Sequence, residues 1–302
     1  MGIKLYKKPD LEKPLMFVGW PGIGNIGILA VNALKDILRA EEFGEIESWD
    51  FFYPRKVFIQ EGLLKDLEFP TNKFYYARVE KKDLIIFVGE EQPTFGGRMY
   101  ASGEKAYEMA NFVIDVGLQF GCQRIYTSGA CVSPIHHQMK PKVCAVVTSE
   151  ELKEEATQTP NTVLMSELEG RSEGEGIITG LNGLLLGVSK KRGLEGICLM
   201  GEIPDWLSGA SFPYPQASKS VLEVFAQILG IQVDLGFLEK LEAQVEEIVE
   251  SFYAKFPPEM KEEYDQRKSR APSKPGPITI QAQIYIDDRF KKGGEGGGES
   301  PS

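Results

Sequence analysis

Short apolar segments alternate with amphipathic segments along most of this chain, and no other feature limits its fold as strongly. The clearest apolar segment, Asp83-Leu-Ile-Ile-Phe-Val-Gly89, is continuous, as buried parallel strands are. Similar segments predict strands at 15–20, 124–128, 143–148 and 196–200, and periodic segments predict helices at 25–40, 98–119, 176–190 and 216–230. Strands alternating with helices predict an α/β fold of three α/β/α layers around a mostly parallel sheet.

Residues outside this alternation fall into β-prone, acidic and helical stretches. The β-prone stretches are predicted at 45–52, 56–64 and 74–80. The polar, acidic stretch 150–175 is predicted to be a loop, and 236–256 an extra Glu-rich helix near the C-terminus. From Ser269 the composition shifts to Pro, Ser, Lys, Gly and Glu. We therefore expect a core domain at 1–232, a C-terminal helical extension at 233–268 and a flexible tail at 269–302.

The overall charge is acidic, with 44 Asp and Glu against 34 Lys and Arg, a formal net charge of −10 over 302 residues. A nucleic-acid-binding protein needs a basic face, so no nucleic-acid partner is expected. The four cysteines form no Cys-x-x-Cys pair, which indicates a reducing compartment. No apolar run approaches the roughly 20 residues that cross a bilayer. We therefore expect a cytoplasmic protein with no membrane partner.

A glycine-rich turn, Gly22-x-Gly24-x-x-Gly27, follows the first predicted strand and opens the first predicted helix. This is the context that a dinucleotide-binding fingerprint requires, and the backbone N–H groups of such a turn can hold an anion. Asn25, a helix-capping residue type, opens the helix, and Glu47 and Asp50 lie about where a ribose-binding acid belongs. A tight turn that needs glycine explains the same residues without a ligand, and we favour that interpretation.

Polar residues also end two predicted strands, in Gly89-Glu-Glu-Gln-Pro93 and Gly201-Glu-Ile-Pro204. Ligands of open α/β sheets bind at the carboxyl ends of strands, so Glu91, Gln92 and Glu202 are candidates to line one cleft with Gly22, Gly24, Asn25 and Gly27. A carboxylate there is suited to act as a general base or to bind a substrate hydroxyl. The alternative, which we favour, is that these acids cap helices or face water.

The two histidines, His136 and His137, are adjacent in the chain. Neighbouring residues of an extended segment point to opposite sides, so they are not expected to bind one metal ion, and no metal site is predicted. Gly176, Gly180, Gly183 and Gly187 recur at helical spacing, which predicts a stripe without side chains for close packing.

Four motifs in this order resemble the proteasome assembly chaperone family, in its prokaryotic branch related to the second eukaryotic chaperone of that series. They are Gly19-Trp-Pro-Gly-Ile-Gly-Asn-Ile-Gly27, Gly89-Glu-Glu-Gln-Pro93, Gly180-Leu-Asn-Gly-Leu-Leu-Leu-Gly187 and Cys198-Leu-Met-Gly-Glu-Ile-Pro204. The likeness covers roughly residues 12–250. It implies a three-layer domain similar to nucleoside phosphorylases and related hydrolases, a homo-oligomer, no cofactor, and proteasome subunits as possible protein clients.

Some members of that family dock on the proteasome through a C-terminal hydrophobic-Tyr-any tripeptide. This sequence ends Ser300-Pro-Ser302, and Gln283-Ile-Tyr-Ile286 resembles the tripeptide only internally. Three functions are therefore weighed. The favoured one is a non-enzymatic, homo-oligomeric chaperone or assembly factor. The second is a small-molecule-binding or hydrolase/phosphorylase-like enzyme that uses the cleft, and the third is an NAD-type oxidoreductase.

Overall fold

A mixed sheet of nine strands, with helices on both faces, organises the protein. The computed structural model describes residues 2–80, 82–94, 101–168 and 176–269. The main-sheet strands are β1 (Ile3–Leu5), β2 (Leu15–Gly19), β3 (Glu41–Ile46), β6 (Asn72–Val79), β7 (Lys82–Gly89), β8 (Arg124–Ser133), β9 (Val143–Val147), β10 (Thr162–Leu164) and β11 (Glu195–Pro204). Between β3 and β6 lie β4 (Lys56–Gln60) and β5 (Leu63–Glu68). The helices are α1 (Ile26–Ile37), α2 (Gly103–Gln119), α3 (Glu151–Thr157), α4 (Gly180–Lys191), α5 (Pro215–Leu229), α6 (Gly236–Tyr253) and α7 (Pro258–Ser269).

Four parallel strands form the centre of the sheet, and the flanking strands are mostly antiparallel. The order across the sheet is β1-β3-β6-β7-β2-β8-β11-β9-β10. Strands β7, β2, β8 and β11 are parallel neighbours. Strands β6, β3 and β1 add antiparallel pairs at one side, and β9 pairs antiparallel with β11 at the other. The predicted α/β fold is confirmed, and the carboxyl ends of its four central strands meet at one edge.

Successive residues of the central strands face two separate hydrophobic cores, because side chains alternate across a strand. In β2, Phe17 lies in the core that α1 and α5 cover, whereas Met16 and Val18 lie in the core that α2 and α4 cover. All three side chains are fully buried. This division produces the three predicted layers, with the sheet in the middle.

Helices α6 and α7 pack on the layer that contains α1 and α5. Val245 and Val249 of α6 and Tyr264 of α7 are buried in the same core as Phe17. The predicted helix 236–256 ends at Tyr253, and α7 follows it. The division into a core domain 1–232 and an extension 233–268 stays a prediction. Of the predicted tail 269–302, residues 270–302 lie outside the described residues.

Three predicted segments differ from the structure. The stretch 150–175, predicted as a loop, contains α3 and β10. In the stretch predicted as extended at 45–52, only the end of β3 is extended, and a single 3-10 turn follows at Ser48–Asp50. The helix predicted from residue 176 begins at Gly180, whose backbone has φ +78°. Glycine adopts that conformation at no steric cost, so it marks the start of α4.

Strands β4 and β5 form a separate hairpin, which we call the β4–β5 hairpin, outside the nine-stranded sheet. Its two-residue turn is Glu61-Gly62, with φ values of +53° and +77°. Two successive positive φ values are typical of the type I′ turn that joins tightly paired strands.

Candidate functional site

The glycine turn between β2 and α1 is held by backbone contacts rather than by side-chain caps. Gly24 and Asn25 both have left-handed backbones, with φ of +58° and +49°. The Asn25 N–H donates to the carbonyl oxygen of Gly22 at 2.9 Å, and the Tyr214 N–H donates to the carbonyl oxygen of Gly24 at 2.8 Å. The Asn25 side chain makes no capping hydrogen bond. The turn therefore fixes the direction of α1 and ties it to the residue preceding α5.

Gly27 brings α1 into direct contact with the central sheet. A Cβ atom at this position would lie 2.4 Å from the carbonyl oxygen of Ser128 in β8 and 2.6 Å from its carbonyl carbon. No side chain fits at these distances, since both atoms belong to the backbone. Gly27 therefore allows the close approach of α1 to β8, whereas Gly24 is the glycine of the turn that has a positive φ.

The amide of Gln92, just after β7, links three parts of the molecule. Its Nε2 donates to the carbonyl oxygen of Pro21 in the glycine turn. Its Oε1 accepts hydrogen bonds from the N–H of Ala101 at 3.2 Å and from the N–H of Leu181 at 2.8 Å. Leu181 lies in the first turn of α4, where backbone N–H groups have no partner within the helix. Gln92 thus supplies the cap that α4 lacks and fixes α4 beside the glycine turn.

A cavity of about 250 Å³ lies between the glycine turn, the carboxyl ends of β8 and β11, and the start of α4. Two of the candidate residues from the sequence, Gly22 and Gln92, are among the residues that line it. Its other walls are largely apolar or sulfur-containing: Ile23, Gly129, Ala130, Cys131, Val132, Met165, Ile177, Ile178, Thr179, Asn182, Cys198 and Met200. Asn182 is 7% exposed, and its Oδ1 has no hydrogen-bond partner among the described residues. Asn182 was not among the candidates predicted from the sequence, although it lies inside the glycine-rich helix motif.

The two candidate acids, Glu91 and Glu202, do not meet in this cavity. Glu91 is exposed and accepts a hydrogen bond from Arg55 Nε at 2.7 Å. Glu202 is buried at 6% exposure, with Oε1 accepting from Ser133 Oγ at 2.9 Å and Oε2 from the N–H of Lys142 at 2.8 Å. Glu202 therefore joins the end of β8 to the segment that leads into β9. Neither carboxylate is among the residues that line the cavity.

The strand order separates the glycine turn from the acids that a dinucleotide site would need. Glu47 and Asp50 follow β3, and β6 and β7 lie between β3 and β2 in the sheet. In a dinucleotide-binding unit, the glycine turn follows one strand, and the ribose-binding acid follows the strand that lies beside it in the sheet. The topology therefore counts against the NAD interpretation, for which Glu47 and Asp50 were the candidates.

The glycine stripe predicted on α4 is not continuous. Gly176 precedes the helix, and a Cβ atom at Gly187 would meet no atom within 4 Å. At Gly183 such an atom would lie 2.6 Å from Cγ2 of Ile178, in the segment just before the helix. A Cβ atom at Gly180 would lie 3.0 Å from Oε1 of Gln92. Close approach is thus confined to the beginning of α4.

The adjacent histidines lie side by side, contrary to the expectation that they point apart. Their rings stack with centroids 4.2 Å apart, because the loop after β8 is not extended at this point. His136 Nε2 is 3.3 Å from Asp265 of α7, and His137 Nε2 is 3.0 Å from Glu250 of α6. Burial, and then the neighbouring His137, lower the pKa of His136. The pair therefore attaches the two C-terminal helices to the core, a contact that no pattern in the sequence indicates.

Comparison with known proteins places this architecture among its relatives. The model of the PAC2 family matches residues 16–252. The chain belongs to the PAC2 family. This membership confirms the resemblance that the four motifs predicted. An uncharacterized protein of Methanocaldococcus jannaschii is 32% identical over 251 residues, which cover 83% of this chain and 86% of that protein.

Solved structures of PAC2 proteins share the fold. The crystal structure of Pyrococcus furiosus PbaB, described as an archaeal proteasome activator, matches with a TM-score of 0.68 and 31% identity. The match covers 83% of this chain and 97% of PbaB. Pyrococcus furiosus PbaA, described as an archaeal homolog of proteasome-assembly chaperone, matches with a TM-score of 0.59 at 22% identity over 88% of this chain and 98% of PbaA.

In this PAC2 protein, no helix among the described residues is long and apolar enough to cross a membrane.

Proposed function

We propose that this PAC2 protein is a non-enzymatic, homo-oligomeric assembly factor or activator that acts in the cytoplasm on proteasome subunits. The observation that carries the proposal is the 31% identity to PbaB, extending over 97% of that archaeal proteasome activator. Sequence similarity over nearly the whole length of PbaB supports a shared mode of action more strongly than a shared fold alone does.

The chemistry of the cavity supports a role without catalysis. General acid–base catalysis needs a group whose pKa is close to the working pH. The described residues that line the cavity include no carboxylate, imidazole, amine or guanidinium. Burial raises the pKa of the Cys198 thiol to about 11, so this thiol is protonated at neutral pH. A protonated thiol is a weak nucleophile.

The test is binding to proteasome subunits from the source organism. The full chain is mixed at about 10 µM with isolated α subunits or with the mature 20S particle, and complexes are detected by native mass spectrometry. An assembly factor is expected to bind free α subunits and to be absent from mature particles. An activator is expected to bind the mature particle and raise its rate of peptide hydrolysis. The absence of any complex would refute the proposal.

An unrelated protein of similar negative charge is the control, because a chain with net charge −10 attracts basic surfaces without specificity. Binding that survives at 0.15 M salt, and that the control protein lacks, indicates a specific interface.

A second candidate, small-molecule binding in the cavity, is favoured by Asn182. Asn182 lines the cavity, and its Oδ1 is unpartnered within the part of the chain that the structure describes. An unpaired buried polar atom costs about 1–3 kcal/mol. A ligand with a hydrogen-bond donor would remove that cost. A thermal-shift screen with nucleosides, nucleotides and phosphate tests this role, with Asn182→Leu as the control. A ligand that stabilises the wild type and not the variant supports it, whereas no shift with any compound rejects it.

A further inference from the structure

The β4–β5 hairpin is the most exposed apolar part of the described chain. Every residue from Tyr53 to Leu67 is exposed. These residues include six large aliphatic or aromatic side chains in the strands: Val57, Phe58, Ile59, Leu63, Leu64 and Leu67, which are 41–69% exposed. Single exposed apolar residues are ordinary on a protein surface, but a contiguous group of them marks an interaction site.

The register of the hairpin collects four of these side chains on one face. Val57 pairs with Leu67 and Ile59 with Leu64, and directly paired residues share a face. The irregularity between Phe58 and Ile59 keeps both pairs on the same side, because Lys65 is the extra residue of β5. We call Val57, Ile59, Leu64 and Leu67 the aliphatic face. The opposite face is mixed, and includes Lys56, Gln60 and Asp66.

A hairpin of this kind needs a covering partner. Isolated two-stranded hairpins are marginally stable in water, and they become stable when a hydrophobic face packs against another element. Within the described residues, strands β4 and β5 pair only with each other, so each also has an edge without a described partner strand. Every copy of the protein carries this hairpin. The partner that packs on its hydrophobic face therefore has to be present wherever the protein folds.

Charge selects the kind of partner. The hairpin and its base, residues 53–68, carry three basic and three acidic side chains and so have no formal net charge: Arg55, Lys56, Lys65, Glu61, Asp66 and Glu68. The whole chain has a formal net charge of −10. Two copies therefore approach each other through this segment without the repulsion that operates elsewhere on their surfaces. A strongly basic partner would instead be drawn to the acidic remainder of the surface.

We propose that the aliphatic face of the β4–β5 hairpin packs against the same face of a second copy of this chain. The proposal rests on the homo-oligomeric part of the proposed function and locates its interface. A two-fold axis brings identical patches together, so the aliphatic faces of the two copies form one self-complementary contact. Of the 15 exposed residues at 53–67, those on the aliphatic face form part of the roughly 20–30 residues that each side of a standard interface contains.

The first experiment measures the mass of the full chain by size-exclusion chromatography with light scattering. The wild type is expected to elute as a multiple of 33.6 kDa. Ile59→Glu places a carboxylate within the aliphatic face and is expected to raise the dissociation constant at least about 100-fold, since an unpaired buried charge is costly. Gln60→Glu adds the same charge on the opposite face of the same strand and is expected to change it less than about threefold. A monomeric wild type, or equal behaviour of the two variants, would overturn the proposal.

A second experiment holds even if Ile59→Glu disturbs the hairpin itself. The four native cysteines are buried, so an introduced surface cysteine is the accessible thiol of the native protein. Ile59→Cys is expected to form a covalent dimer under mild oxidation, and Gln60→Cys is expected to form little. Equal cross-linking of the two variants would contradict face-to-face packing.

The outcomes separate this interface from the proposed function. An oligomer that Ile59→Glu dissociates, in a protein that binds no proteasome subunit, supports the interface and refutes the proteasome role. A monomer that binds proteasome subunits overturns the interface and leaves the proteasome role standing.

Discussion

Replacing Gly27 by Ala tests whether the glycine turn serves packing or ligand binding. The new Cβ would lie 2.4 Å from the carbonyl oxygen of Ser128, whereas ordinary contacts begin at 3.4 Å. Helix α1 therefore has to move by about 1 Å away from β8, although Ala30, Val31 and Leu34 of the same helix are fully buried. Overpacking of this kind costs about 1–3 kcal/mol. The better helix propensity of Ala returns at most about 1 kcal/mol.

We expect a net loss of about 2 kcal/mol in the free energy of unfolding, and a fall in Tm of roughly 4–8 °C. Urea denaturation followed by circular dichroism measures the free energy of unfolding, and calorimetry measures Tm. Gly22→Ala is the matched control, because a Cβ there would meet no atom within 4 Å and the backbone is extended, with φ −163°. The control is expected to stay within about 0.5 kcal/mol of the wild type. If Gly27→Ala is as stable as Gly22→Ala, the packing role of the turn is wrong.

Three further predictions concern polar and sulfur groups. Gln92→Ala is expected to cost about 2–3 kcal/mol in urea denaturation, because it leaves the Leu181 N–H without its acceptor; a loss below about 0.5 kcal/mol would contradict the linking role of the amide. Because burial lowers the pKa of His136 below 6.5, the unfolded chain binds more protons. The free energy of unfolding is therefore expected to fall as the pH drops below about 6.5, and to fall less steeply in His136→Gln. If the free energy of unfolding has the same slope against pH in the wild type and the variant between pH 7.5 and 5.5, this prediction is wrong. Burial raises the pKa of the Cys122 and Cys198 thiols to about 11, so a thiol reagent is expected to label the native protein slowly and the unfolded protein at four sites; rapid labelling of the native protein would contradict their burial.

The central layers of the fold could be predicted because burial imposes a pattern on the sequence. Strand β7 is covered on both faces, so its residues form the continuous apolar run from which it was predicted. Helix α3 is different, since only Leu152 and Ala156 of its seven residues are buried. A helix with so small a buried face leaves almost no periodicity, and its Glu-rich composition resembles that of a loop. The lightly buried elements are therefore the ones that the sequence analysis missed.

The candidate site was predicted only in part, because strand direction decides where a side chain points. Gly22 and Gln92 follow parallel strands and do line the cavity. Glu202 also ends a central strand, but β9 runs antiparallel to β11 and brings Lys142, just before β9, to that same end. The Lys142 N–H donates a hydrogen bond to the Glu202 carboxylate there. A single sequence does not reveal which neighbour of a strand is antiparallel, so the hydrogen bond between Lys142 and Glu202 was not predicted.

The motifs that identify the family and the surface proposed for assembly lie in different parts of the chain. Gly27 and Gln92 face inward, toward β8 and toward the start of α4, and stabilise contacts between layers. Residues 53–67 belong to none of the four motifs, and all of them are exposed. Changes in the first group are expected to act on the folded state of each chain, whereas changes in the hairpin are expected to act on the proposed contact between chains. A PAC2 fold can therefore be retained while its hairpin changes, so the motifs predict the architecture of this protein better than its partner.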